Sequence, residues 1–129
     1  MALPATRTES ARRRLPVDCW RILKRLQEQM GSAPYQTVVI LCFRVCKQLK
    51  DANRLDLLSP PVTSETGTES GRIPLSDDAW ALVREFSRFW GGTSAPATIA
   101  NSVRIVDSLS GSSRLPKKVQ ATLEVLGIL

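Results

Sequence analysis

The sequence predicts an all-α single small domain of about five helices behind a disordered basic N-terminal tail, and three observations carry that expectation. Apolar residues recur at three- and four-residue steps in five separate stretches. Gly31, Gly91, Gly92 and Gly111 fall where those stretches end. A chain of 129 residues with 43% hydrophobic content can bury one core. The expected division is a tail at 1–14 and a helical domain at 15–129, with a mobile loop at 59–73.

Residues 1–14 are polar, arginine-rich and without periodicity, the composition of a disordered segment. Pro16 opens the first helix, where its missing N–H costs nothing. Val17, Trp20, Ile22, Leu23, Leu26 and Met30 form its apolar stripe, opposite Arg21, Lys24, Arg25 and Glu28. Ser32 caps a second helix over residues 33–52. The apolar run 38–43 has strand propensity, but Tyr35, Val39, Cys42, Cys46 and Leu49 extend the pattern over several helical turns. Apolar residues on nearly all sides make this the central helix. Leu55, Leu57 and Leu58 then precede Pro60 and Pro61, and residues 59–73 are too rich in Ser, Thr, Gly, Pro and Glu to bury much.

Leu75, Ser76 and Trp80 have the spacing of a hydrophobic staple at the start of the third helix. Asp77 and Asp78 sit in its first turn, where negative charge meets the positive end of the dipole. Ala79, Leu82, Val83, Phe86 and Trp90 form the inward stripe. Thr93 or Ser94 caps a fourth helix with Pro96 in its first turn and Ile99, Val103, Val106 and Leu109 inward. Ser112 or Ser113 starts the last helix, which carries Leu115, Val119, Leu123 and Leu126.

Charge is unevenly spread. The net +6 resides in the first 58 residues, where eleven basic side chains meet five acidic ones; beyond them seven meet seven. Such asymmetry argues for an acidic partner, because summed charge steers encounters rather than folding. Arg12, Arg13, Arg14, Arg21, Lys24 and Arg25 are the candidate basic surface, readable as a solvated tail, a nuclear-import signal or a phosphate-binding arm. No aromatics interleave with them to make a stacking platform. Trp20 opposite a basic face would suit a membrane surface, but core packing explains it more simply. The apolar run 38–43 is too short to span a bilayer. Phe89 lies off the main stripe beside Arg88 and Trp90, and these three are the candidate partner-binding residues.

Catalytic chemistry is poorly supplied. The absence of histidine removes Ser-His and Cys-His nucleophile pairs and the commonest general base. No GxxxxGK[ST] phosphate loop occurs. The expectation is a non-enzyme without cofactor. Cys19, Cys42 and Cys46 are odd in number, which fits reduced thiols in an intracellular protein. Small buried hydrophobes are the plain reading; a zinc site at Cys42 and Cys46 would lack both a CxxC pair and any histidine. Residues 1–14 have no apolar segment of the signal-peptide kind.

Two stretches carry a likeness. The first runs from Tyr35-Gln36-Thr37-Val38-Val39-Ile40-Leu41 through Val45-Cys46-Lys47-Gln48-Leu49-Lys50 to Leu55-Asp56-Leu57-Leu58. The second runs from Leu115-Pro116-Lys117-Lys118 to Leu126-Gly127-Ile128-Leu129. Both resemble the accessory C proteins of paramyxoviruses, of the morbillivirus and henipavirus kinds. The resemblance implies a helical, non-enzymatic viral protein that antagonises host interferon and innate immune signalling and modulates viral RNA synthesis. Its implied partners are host signalling proteins and the viral polymerase complex, in the host cytoplasm, with nuclear entry open. The alternative, from the residues themselves, is a small basic RNA- or DNA-binding protein, for example a viral silencing suppressor. The first reading puts affinity in an apolar patch at Phe89 and Trp90; the second puts it in the arginines, with a steep salt dependence.

Overall fold

The computed structural model describes residues 12–61, 67–112 and 114–128. In chain order these form β1 (Arg12–Pro16), α1 (Val17–Gln29), α2 (Tyr35–Asp51), a 3-10 turn (Leu55–Leu57), β2 (Thr68–Arg72), α3 (Asp77–Phe89), α4 (Ala95–Ser108) and α5 (Lys117–Val125). The domain is mostly helical and small, as the periodicity predicts.

Several expectations need correction. The second helix starts at Tyr35 with Pro34 at its N-cap, and Ser32 makes no side-chain cap. Residues 12–14 are not tail: they belong to β1, which pairs antiparallel with β2 from Arg12↔Arg72 to Pro16↔Thr68. The expected mobile loop likewise contains β2 at Thr68–Arg72. Neither segment carries a hydrophobic alternation of its own; each becomes a strand because the other supplies its ladder. Residues 1–11 of the expected tail and 62–66 of the expected loop lie outside the described residues. The last helix begins at Lys117, later than Ser112 or Ser113, with Pro116 at its N-cap. Pro116 also disfavours a helical conformation at Leu115 before it.

The helices form two equivalent pairs. α1 and α3 are each 13 residues long and begin at Val17 and Asp77, 60 positions apart. α2 and α4 begin at Tyr35 and Ala95, again 60 apart. Their connections close alike. Gly31 N–H donates to Glu28 O and Ser32 N–H to Gln27 O; Gly91 N–H donates to Arg88 O and Gly92 N–H to Ser87 O. Both turns need left-handed backbone, with φ of 77° at Gly31 and 84° at Gly91, so glycine ends both first helices.

Burial repeats with the same offset. Val39, Cys42, Phe43, Val45, Cys46 and Leu49 of α2 match Ile99, Ser102, Val103, Ile105, Val106 and Leu109 at α4 and its end, and all are buried. α2 and α4 pack on each other at the centre, and α5 lies against α2. Ser102 Oγ donates to Ile99 O at 2.8 Å, so the hydroxyl at that core position is satisfied.

Ion pairs tie the first half to the second. Arg104 reaches Asp18 through two parallel hydrogen bonds of 2.9 Å each. Those hydrogen bonds hold the Asp18 carboxyl below the usual carboxylate range. A folded-state pKa below the unfolded value adds stability above the unfolded pKa, about 4, and loses it as pH falls through the folded value. We therefore expect the urea midpoint to drop from pH 5 towards pH 2. Asp18→Asn should lower the neutral-pH stability by about 1–3 kcal/mol and flatten that acid limb. Equilibrium denaturation across pH checks both.

Candidate nucleic-acid interface

The ribbon takes its two faces from strand alternation. Cross-strand partners point the same way, and successive residues point to opposite sides. One face therefore carries Arg12 with Arg72, Arg14 with Ser70, and Pro16 with Thr68. All of these except Pro16 are exposed. The other face carries Arg13 with Gly71 and Leu15 with Glu69, and Leu15 is wholly buried.

Two tryptophans support the inner face. A Cβ on Gly71 would come within 2.4 Å of the Trp20 ring, so glycine is what lets the strand lie on that indole. Trp20 Nε1 donates to Glu69 O at 2.8 Å. The Arg13 guanidinium stands 5.1 Å from the centroid of the Trp80 ring, a cation–π distance. Partial burial there pulls its pKa below the ordinary arginine value. Trp20 and Trp80 are themselves 60 apart, one from each helix pair.

On the outer face the arginines are oriented by hydroxyls. Arg12 Nη2 donates to Ser70 Oγ and Arg14 Nη1 to Thr68 Oγ1, each at 3.1 Å. A guanidinium has five donors, and among the described residues each of these two spends one on its hydroxyl. Arg12 and Arg72 face each other directly, a like-charge pairing that opposes the ribbon's own stability. Among the described residues no carboxylate lies on this face. At the edge of the ribbon, a groove of about 380 Å³ is lined by Trp20, Arg21, Lys24, Tyr35, Ser70 and Arg72, with one carboxylate, Glu69, among them. Arg21 and Lys24 thereby extend the positive surface beside it.

Of the candidate basic residues, the structure brings Arg12, Arg14, Arg21 and Lys24 together. Arg13 turns inward to Trp80, and Arg25 is held away by an ion pair to Asp107. The candidate partner-binding residues lie elsewhere. Phe89 and Trp90 are half-buried and pack on Phe86, at centroid distances of 5.9 and 5.2 Å, and Trp90 Nε1 donates to Leu58 O. Arg88 is exposed on a separate groove with Trp80 and Ser87. Sequence reasoning missed Arg72, Ser70 and Thr68. The repeated string Thr8-Glu9-Ser10-Ala11-Arg12 and Thr68-Glu69-Ser70-Gly71-Arg72 was the signal that could have found them.

The three cysteines are core residues. Burial pushes the Cys19 and Cys42 thiols up to about 12 and raises Cys46 well above its ordinary value, which keeps all three protonated and poor as nucleophiles or ligands. Among the described residues no group of three His, Cys, Asp or Glu side chains is placed to hold a metal ion. No helix among them is long and apolar enough to cross a membrane.

The geometry thus defines a class by shape: a helical domain with two equivalent helix pairs, carrying a basic two-stranded ribbon. No protein-family model, curated protein or solved structure matches the chain.

Proposed function

We propose that the protein binds duplex DNA through the outer face of its ribbon, with Arg12, Arg14 and Arg72 as the principal contacts. One observation carries this reading: two arginines directly opposed across a ribbon, with a third beside them and no carboxylate on that face among the described residues. Such a pairing weakens the isolated ribbon and becomes favourable against a polyanion. A two-stranded ribbon is also one of the two element types that the major groove of B-form DNA admits. A-form RNA has a deep and narrow major groove that would exclude it. Phe89 and Trp90, by contrast, spend much of their surface on Phe86, which leaves the protein-antagonist reading with less exposed apolar surface than it needs.

A binding titration with a generic 20-base-pair DNA duplex, followed by fluorescence anisotropy, tests the reading. Affinity should fall at least tenfold between 50 and 200 mM salt, because each neutralised phosphate releases counterions. Absence of binding at 50 mM salt, or binding that salt does not change, would reject it.

A further inference from the structure

The groove at the edge of the ribbon has a counterpart. Trp80, Arg84 and Ala95 line a second groove of about 280 Å³, and they stand 60 positions after Trp20, Lys24 and Tyr35 of the first. The frame is therefore repeated, one groove to each helix pair, but its contents are not. The first groove has Tyr35 where the second has Ala95, and Arg21 where the equivalent residue is Ala81, which does not line the second. The first also takes in Arg72 and Glu69 from β2. At about 380 Å³ it falls within the range of small-molecule sites.

We propose that the first groove binds a ribonucleoside phosphate, and that its occupation weakens DNA binding by engaging Arg72. The antagonism rests on the duplex-binding reading above; the groove site stands on its own residues. Trp20 and Tyr35 meet edge-on, with ring centroids 5.6 Å apart and planes inclined at 65°. A flat base stacked on one presents its edge to the other, and aromatic pairs favour both arrangements. Arg21, Lys24 and Arg72 against Glu69 leave two positive charges in the lining, which match a phosphate monoester of about −1.5 to −2 at pH 7. Glu69 gives the sugar its partner. A carboxylate repels phosphate but accepts hydrogen bonds from hydroxyls, so it selects a ribonucleoside over bare phosphate or a deoxynucleoside. Duplex DNA is a poor occupant, because its bases are stacked inside and it has no 2′-hydroxyl.

Arg72 makes the groove regulatory. It lines the groove and also faces Arg12 on the outer side of the ribbon. A guanidinium drawn to a bound phosphate is withdrawn from DNA, and the bound anion itself repels the duplex. Linkage makes the effect reciprocal: DNA weakens the nucleotide by the same factor.

The test is isothermal titration calorimetry of the intact chain with the four ribonucleoside 5′-monophosphates, their 2′-deoxy counterparts and inorganic phosphate, at matched ionic strength. At least one ribonucleotide should saturate the chain by about 1 mM. It should bind roughly tenfold or more tighter than its deoxy counterpart or inorganic phosphate. Tyr35→Ala, which copies the second groove, should weaken it roughly tenfold or more, whereas Tyr35→Phe keeps the ring and the affinity. Glu69→Ala should remove the preference for ribose. With the nucleotide at ten times its Kd, duplex binding followed by anisotropy should weaken about tenfold in the parent chain. In Tyr35→Ala the same nucleotide concentration should weaken it by no more than about twofold. Absence of saturation by every ribonucleotide, equal binding of the deoxy forms or of inorganic phosphate, or parent-like binding by Tyr35→Ala would overturn the site. Duplex affinity unchanged by the nucleotide would overturn the antagonism. If no duplex binds, the duplex-binding reading falls and the antagonism with it, while the calorimetry still decides the groove. Thermal melts of each variant separate lost binding from lost fold.

Discussion

Replacing Arg12, Arg14 and Arg72 together by alanine is expected to lower affinity for duplex DNA at least a hundredfold at about 100 mM salt, without loss of the fold. Each arginine contributes either a phosphate contact or a base contact, and a good bidentate base contact alone is worth about 1–3 kcal/mol. The two kinds separate in the salt dependence. A lost phosphate contact shallows the slope of log affinity against log salt by about one, whereas a lost base contact lowers affinity on the matched site and leaves the slope near its parent value. Stability should hold or rise slightly, because the substitutions remove the repulsion between Arg12 and Arg72. The matched control is Arg114→Ala, Lys117→Ala and Lys118→Ala, which takes the same charge from exposed sites at the start of α5. If both triple variants weaken binding equally, net charge and not the ribbon governs association, and the proposed interface is wrong.

The helices were legible because each carries its own evidence. Apolar stripes at helical spacing located all five, and two caps read from sequence are made as expected. Ser76 Oγ accepts from Ala79 N–H, and Ser94 Oγ accepts from Ala97 N–H. Even the strand-like run at residues 38–43 resolved correctly, since residues beyond it kept the helical period. The ribbon was illegible for the opposite reason. Arg12, Arg13 and Arg14 look like a solvated tail, and Thr68 to Arg72 look like a loop, because strand character in both comes from a partner more than fifty residues away. Local periodicity cannot report a pairing of that range. Internal repetition can: Trp20 with Trp80, Gly31 with Gly91, Arg44 with Arg104 and Leu49 with Leu109 all share one offset. Of the candidate site, the arginines before Pro16 were visible as charge, while the face that displays two of them and turns the third inward was not.

The stretches that resemble the paramyxovirus accessory proteins form α2 and α5, which pack against each other. Tyr35 lies at the edge of the ribbon and meets Trp20 edge-on at 5.6 Å. Lys47 and Lys50 both reach Glu85 of α3, at 2.8 and 3.2 Å. Of the positions that carry the likeness, Lys47 and Lys50 therefore join the two halves, while Tyr35 packs within the first. They are contacts within the fold, and the basic ribbon lies outside those stretches.

Phe86→Ala is expected to destabilise the protein by about 3–5 kcal/mol, the largest effect of any single truncation considered. Phe86 is wholly buried on α3 and lies where the halves meet, with Phe43 of α2 at 5.9 Å, Trp90 at 5.2 Å and Phe89 at 5.9 Å between ring centroids. The Lys50 ammonium stands 5.8 Å from the same ring. Alanine would leave a cavity among three aromatic rings that belong to rigid helices, so little collapse can offset the lost contacts. A domain of this size has about 5–15 kcal/mol of total stability, and the variant would forfeit about a fifth of it or more. The melting temperature should fall by more than about 10 °C. The equivalent position in the first half is Leu26, also fully buried, which supplies an internal comparison. Phe86→Leu places that residue in the second half and should cost clearly less than alanine. Because α2 and α4 share one core, both variants should unfold in a single transition seen alike by far-ultraviolet circular dichroism and tryptophan fluorescence. Two separate transitions, one for each helix pair, would show that the halves are independent, and would remove the basis for treating the ribbon they jointly carry as one rigid reading surface.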